Sequence, residues 1–364
     1  MRKSLAAAFS TKALLEQEEI IQGSVDAFIE GIRARVKDTK GINMTKWFEM
    51  LAFDILGEMA FGESFHCAEN GKSHFWSDMI EEHLYFITIL DNLRRYPLIA
   101  AIGKLILPRL TTGVRNKHTN YSRQKVARRL NSSFPRADFI SRLIAKVQSQ
   151  EMDMEELTAH ASTLVIAGGE TVATFLAAVT YHLLSTPEAY KKLRDEIRGK
   201  YMDISEINST SALQLPYLQA VISEGLRIYP PGSQGFPRVT PPKEGIWVDE
   251  RYVPGNTEVY TSAWTLTHDS RYFHQPFEFK PQRWLDPECT DNKEASQPFS
   301  LGPRGCLGRN FAMVEISIIL CKLHFQFDAE LVDPKQGWES ESRLHVMWWK
   351  PNLPVRFFPV KRET

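Results

Sequence analysis

Between Asp153 and Pro187 the chain reads MEELTAHASTLVIAGGETVATFLAAVTYHLLS, an apolar run too long for any strand and punctuated at both ends. Asp153 and Glu156 have the spacing of a capping box, and Pro187 is the stop, so the pattern predicts one helix from about Met154 to Ser185. At helical rise that element is roughly 48 Å long, enough to cross a whole domain. The rest of the chain therefore has to be built around it.

The remaining elements read as companions to that rod. Leu14 to Val36 has amphipathic spacing, Met44 to Phe61 is apolar nearly all round and so buried, and Asn120 to Leu130 is strongly basic, its run Arg123 to Arg129 expected to form a solvated helix face, with docking of an acidic protein as the alternative. Further helices are expected from Pro187 to Lys200 and from about Leu215 to Tyr229, before the Pro230-Pro231 break. Glycine and proline gather mainly after residue 225, and strands come late. Gly245 to Val253 and Glu258 to Ser262, separated by Pro254-Gly255, read as the two arms of a hairpin, and Leu344 to Val360 reads as strand with proline breaks. The expected fold class is mainly α, a helical bundle with a small β region, in one domain over 1–364.

Composition narrows the function. Lys plus Arg and Asp plus Glu are equal at 44 each, which argues against a nucleic-acid binder. Cys67, Cys289, Cys306 and Cys321 are too scattered for a disulfide framework or a zinc knuckle, and the histidines (among them His66, His74, His83 and His118) form no HExxH or paired motif. No run of eighteen uninterrupted apolar residues occurs, so no membrane span is expected. The segment LIAAIGKLIL, Leu98 to Leu107, reads equally as a buried helix or as an element dipping into a bilayer surface. Trp348 and Trp349 read as core residues.

One cysteine stands apart. FSLGPRGCLG, Phe299 to Gly308, sets Cys306 at the mouth of a helix behind a glycine-rich turn that carries Arg304. Free N–H groups and the positive dipole end of a helix stabilise a thiolate. Gly302 and Gly305 suit a tight turn, Gly308 lets the helix lie close to a flat ring, Arg304 suits a carboxylate on the ring edge, and Phe299 packs beneath. Phe, Gly, Arg, Cys and Gly at these five positions arise by chance in on the order of one chain of this length in ten thousand. The segment resembles the haem-thiolate signature of the cytochrome P-450 monooxygenases, in which this cysteine is the axial iron ligand.

Three further strings support the resemblance, in family order. AGGET, Ala167 to Thr171, lies inside the long helix. Alone it is compatible with close helix packing at its glycines. Beside the cysteine loop it is similar to the family's oxygen-activating groove, with Ala167 and Gly168 against the ring, the Thr171 hydroxyl bonding either a distal oxygen or a backbone carbonyl, and Glu170 relaying protons from water. EGLR (Glu224, Arg227) and PQRW (Arg283) match the family's structural pair, read here as a buried carboxylate shared by two guanidinium groups. Arg238, in GFPRVTP, corresponds to an arginine near the haem edge, with Phe236 and Pro237 as pocket wall. Arg2 corresponds to an arginine of a helix motif whose aromatic or histidine partner is absent here.

The resemblance implies haem b (iron protoporphyrin IX) with Cys306 as axial thiolate, and insertion of one oxygen atom from O2 into a lipophilic small molecule. KSLAAAFSTKALLEQE and FSLGPRGCLGRNFAMVE look most like fungal members of secondary metabolism. An NADPH-dependent flavoprotein reductase as electron donor, and the cytosolic face of the endoplasmic reticulum membrane as location with contact at the membrane surface, are implied likewise. Against the family pattern the chain reads as N-terminally incomplete, missing its first strands and membrane anchor. Two other functions stay open: a haem-thiolate isomerase or dehydratase that does not activate O2, and a non-catalytic remnant.

Overall fold

A computed structural model of the chain describes residues 5–76, 116–132, 136 and 138–361, with isolated positions between 79 and 98. Arg2 and nearly all of Leu98 to Leu107 lie outside the described residues.

The long apolar run is one helix, α5, Met154–Ser185. The Asp153 carboxylate accepts the Glu156 N–H at 2.6 Å, while the Glu156 carboxylate turns to His160 Nε2 at 3.4 Å, so half of the expected capping box forms. Around α5 stand α1 (Thr11–Arg33), α2 (Met44–Phe61), α3 (116–131), α4 (Ser141–Gln148), α6 (Pro187–Lys200), α7 (Pro216–Ile228) and α8 (Arg309–Gln326). Among the described residues α5 is the one helix with the length and apolarity to cross a membrane, and most of it is buried in the bundle.

Helix α2 is buried on nearly every face, as its composition requires, and is packed tightly along α5. The reason for a glycine in mid-helix is at this seam. A Cβ on Gly168 would stand 3.1 Å from both methyls of Leu56, so Gly168 lets the two helices approach. Apolar residues of α1 recur at spacings of seven, four, three and four (Leu14, Ile21, Val25, Phe28, Ile32), all on one helical face, and join the same core.

Two sequence expectations are corrected. The basic run on α3 is not a solvated face throughout: Arg129 is buried on Asp138 (3.0 Å) and Lys125 on Glu63 (2.8 Å), while Arg123 stays exposed on Glu155. Burying the aliphatic stems while pairing the heads costs less than leaving that side of the bundle open. The expected hairpin also divides. Strands β3 (Ile246–Val248) and β4 (Arg251–Val253) pair with each other, whereas β5 (Glu258–Val259) pairs antiparallel with β2 (Arg238–Val239). Asp249 and Glu250 both take positive φ (46° and 61°), which makes a tight two-residue turn and leaves Pro254-Gly255 as a connector.

The C-terminal strands close the fold. β6 (Phe327–Leu331) and β1 (Ile42–Asn43) both pair antiparallel with β9 (Pro354–Pro359) in a three-stranded sheet, order β1-β9-β6. β7 (Arg343–Leu344) and β8 (Trp348–Trp349) pair apart from it. Trp348 stacks on Tyr229 at 4.4 Å and donates to the Pro230 carbonyl, but Trp349 is 62% exposed, so only the first of the two tryptophans is a core residue.

Candidate functional site

The cysteine loop is an ordered turn. Gly302–Arg304 forms a single 3-10 turn, with Gly302 at φ +68°, a left-handed angle that glycine adopts without strain. The Gly305 N–H donates to the Gly302 carbonyl (3.0 Å), and the Cys306 N–H donates to the Phe299 carbonyl (2.7 Å). Cys306 does not itself begin the helix: α8 starts at Arg309 with Gly308 as its N-cap, which carries no side-chain capping bond. The first-turn N–H groups therefore keep their positive ends open two residues beyond the cysteine.

Cys306 is exposed. A Cβ on Gly308 would stand in ordinary contact with Sγ (4.0 Å) and the Phe9 ring (3.9 Å), so a larger side chain there would crowd the sulfur. Below the loop Phe9, Phe139 and Phe311 pack together, Phe9 to Phe139 at 4.5 Å and Phe139 to Phe311 at 4.8 Å. Sequence reading missed this floor, since Phe9 and Phe139 are far from the motif in the chain. Phe299 is half-buried, with the Arg309 guanidinium 5.7 Å above its ring. Arg304 is exposed and has no hydrogen-bond or ion-pair partner among the described residues. Arg238 lies exposed on β2 with Nη1 turned onto the carbonyls of Phe236 (3.1 Å) and Pro237 (3.0 Å). Phe236 is 67% exposed.

On α5, Ala167 is exposed, the last of an exposed stripe with Glu155, Ala159 and Thr163, and Gly168 and Thr171 are half-buried, whereas residues 172–180 are buried throughout. The Thr171 hydroxyl donates to the Ala167 carbonyl at 2.9 Å and lies 3.3 Å from that of Gly168. Of its two expected bonds, the one to a backbone carbonyl is present. Glu170 is held away from bulk water: its carboxylate accepts from Lys350 Nζ and from the Thr174 hydroxyl (3.1 Å). Burial, offset by Lys350 and reinforced by Glu49, raises its carboxyl above the ordinary range. Lys350 follows the Trp348-Trp349 pair in a tail with no readable motif, and sequence reading missed it too.

The structural pair forms as expected and is fuller than expected. Glu224 and Arg227 are both 0% exposed, joined by two parallel bonds of 2.8 Å. Glu224 also accepts from Arg283 Nε (3.1 Å), Trp284 Nε1 (2.9 Å) and the Lys280 N–H (2.8 Å). Arg227 donates onward to the carbonyls of Thr267, Pro276 and Glu278, and Arg283 to Asp291. Despite partial burial, the His274 N–H and Arg283 hold the Asp291 carboxyl below its usual range.

The residues present fit an iron porphyrin. Cys306 supplies one uncovered sulfur, no group of three or more His, Cys, Asp or Glu among the described residues competes for a metal, and Arg304 is an unpaired cation beside it.

Comparison with known proteins agrees with this arrangement. The Cytochrome P-450 family model matches residues 1–357. The chain is 58% identical to the cytochrome P-450 monooxygenase ORF9 of Penicillium roqueforti, over 100% of this chain and 71% of that protein. It is 51% identical to the cytochrome P-450 monooxygenase BOT4 of Botryotinia fuckeliana, over 98% of this chain and 67% of that protein. It is 36% identical to the trichothecene C-15 hydroxylase of Fusarium sporotrichioides, over 98% of this chain and 74% of that protein. The chain belongs to the cytochrome P-450 family and is an oxidoreductase of its monooxygenase class.

Proposed function

We propose that the protein inserts one oxygen atom from O2 into a lipophilic small molecule of fungal secondary metabolism, with Cys306 as the axial thiolate of haem b. The observation that carries this is the uncovered Cys306 sulfur, on an ordered turn two residues ahead of the bare N-cap of α8. Arg304 and Arg238 are the cations for the carboxylates of the ring, Phe299 and Gly308 hold and clear its sulfur side, and Ala167 and Gly168 give it a face without bulky side chains. When bound, the haem supplies the oxygen-activating chemistry. The chain's own residues position the sulfur and manage protons at Thr171 and Glu170. A relative named as a trichothecene C-15 hydroxylase supports hydroxylation as the reaction. An NADPH-dependent flavoprotein reductase supplies electrons, at the cytosolic face of the endoplasmic reticulum membrane.

The test is the spectrum of the reduced, carbon-monoxide-treated protein. Wild type should show the red-shifted Soret band of thiolate ligation, and Cys306→Ala should lose it. An imidazole-type or haem-free spectrum in wild type would remove the reading.

A further inference from the structure

A buried chain of charges reaches the central helix from the surface. Lys350 is 2% exposed and stands between two carboxylates, Glu170 on α5 (9%) and Glu49 on α2 (5%). Its Nζ donates to Glu170 and to the Thr174 hydroxyl (3.0 Å) and lies 3.5 Å from Glu49 Oε1. The other oxygen of Glu49 is 2.8 Å from Nζ of Lys46, one turn earlier on α2 and 36% exposed.

A brace between α5 and the C-terminal strands would need one carboxylate and one ammonium. The second buried carboxylate is costly in that setting, and it is the one that connects the cluster to solvent. Building on the proposed oxygenase function, we propose that Lys46, Glu49 and Lys350 form a proton-loading path that resupplies Glu170 beside Thr171. When Glu170 gives up a proton towards the Thr171 side of α5, Lys350 passes one of its protons to the Glu170 carboxylate and is reprotonated through the Glu49 carboxylate. The Glu49 carboxylate takes that proton from water beside Lys46 and hands it on, ending ionised as it began. One proton enters for each one consumed, and the charge of the cluster is restored. Glu49 and Lys350 are thus positioning residues that act through Glu170.

The test uses the haem-loaded protein and two readouts. In pH-difference infrared spectra, the protonated carboxyl band lost in Glu170→Gln identifies Glu170. Glu49→Gln should move its titration down by about one pH unit or more, since a like charge is removed, and Lys350→Met should move it up. In turnover, Glu49→Gln should raise the fraction of oxygen released as peroxide several-fold and enlarge the solvent deuterium isotope effect. Lys350→Arg, which keeps the charge but does not release a proton, should restore the infrared titration and leave the coupling and isotope effect as impaired as in Lys350→Met. If Glu49→Gln fails to fold, Lys46→Met at the exposed end should show the same isotope effect. Wild-type coupling and isotope effect in the variant that folds would overturn the path and leave a structural brace. The infrared titration needs no turnover, so its failure is separable from that of the oxygenase reading, which the carbon monoxide spectrum reports.

Discussion

The Phe299 carbonyl accepts the backbone N–H of Cys306 at 2.7 Å, and this bond closes the loop that turns the sulfur outward. A Cβ at Gly308 would already be 4.0 Å from that sulfur, so a bulkier side chain there would reach over it.

Filling that gap should separate haem binding from folding. Gly308→Val is expected to lower the ratio of Soret to protein absorbance several-fold while leaving the far-ultraviolet circular dichroism of the bundle unchanged. Full haem occupancy in Gly308→Val would show that the clearance beside Cys306 is not needed.

Glu224 is the point on which α7, Arg283 and Trp284 converge, and it is fully buried. Glu224→Gln leaves two buried guanidinium groups facing a neutral amide, and removal of one partner from such a set costs about 3–5 kcal/mol. Chemical denaturation should register a loss of that order. A loss below about 1 kcal/mol, the worth of an exposed pair, would contradict the assigned folding role.

Thr171 donates to backbone carbonyls of its own helix, in the half-buried stretch beside Ala167. Thr171→Ala should raise peroxide release several-fold per oxygen consumed with little change in thermal midpoint, because the lost hydroxyl bonds are local to the helix. Unchanged coupling would remove Thr171 from proton management.

Stability should peak near pH 6.5. Burial drives the imidazoles of His182 and His324 down to about 3, and His268 to about 4. Folded histidines with depressed values bind fewer protons than unfolded ones, so their contribution is full above the ordinary 6.5 and is lost as pH falls. Burial raises Glu315 to about 8, so the folded state keeps a proton there that the unfolded chain releases, and stability falls as pH rises from 4.5 towards 8. Each such group contributes about 1.4 kcal/mol per pH unit within its window. Between pH 4.5 and 6.5 the histidines outweigh Glu315, and above it Glu315 acts with Glu170, whose carboxyl is also raised. Denaturation midpoints measured across this range should rise and then fall, and Glu315→Gln should flatten the alkaline limb. A midpoint that keeps rising beyond pH 7 would contradict the buried state of Glu315.

Much of the fold and of the site was legible in the residue order because it rests on local chemistry. The limits of α5, the burial of α2, the loop before α8 and the pairing of Glu224 with Arg227 follow from caps, periodicity, turn residues and helical spacing, which act within a few residues. What the tertiary structure alone decided are the partners of buried charges and the pairing of short strands. Glu170 meets Lys350, and Phe9 meets Phe139 and Phe311, across long stretches of chain, and β5 leaves its neighbouring strands for β2. No local pattern encodes such contacts, because each is selected by the cost of leaving a charge, a ring or a strand edge without a partner once the helices have packed.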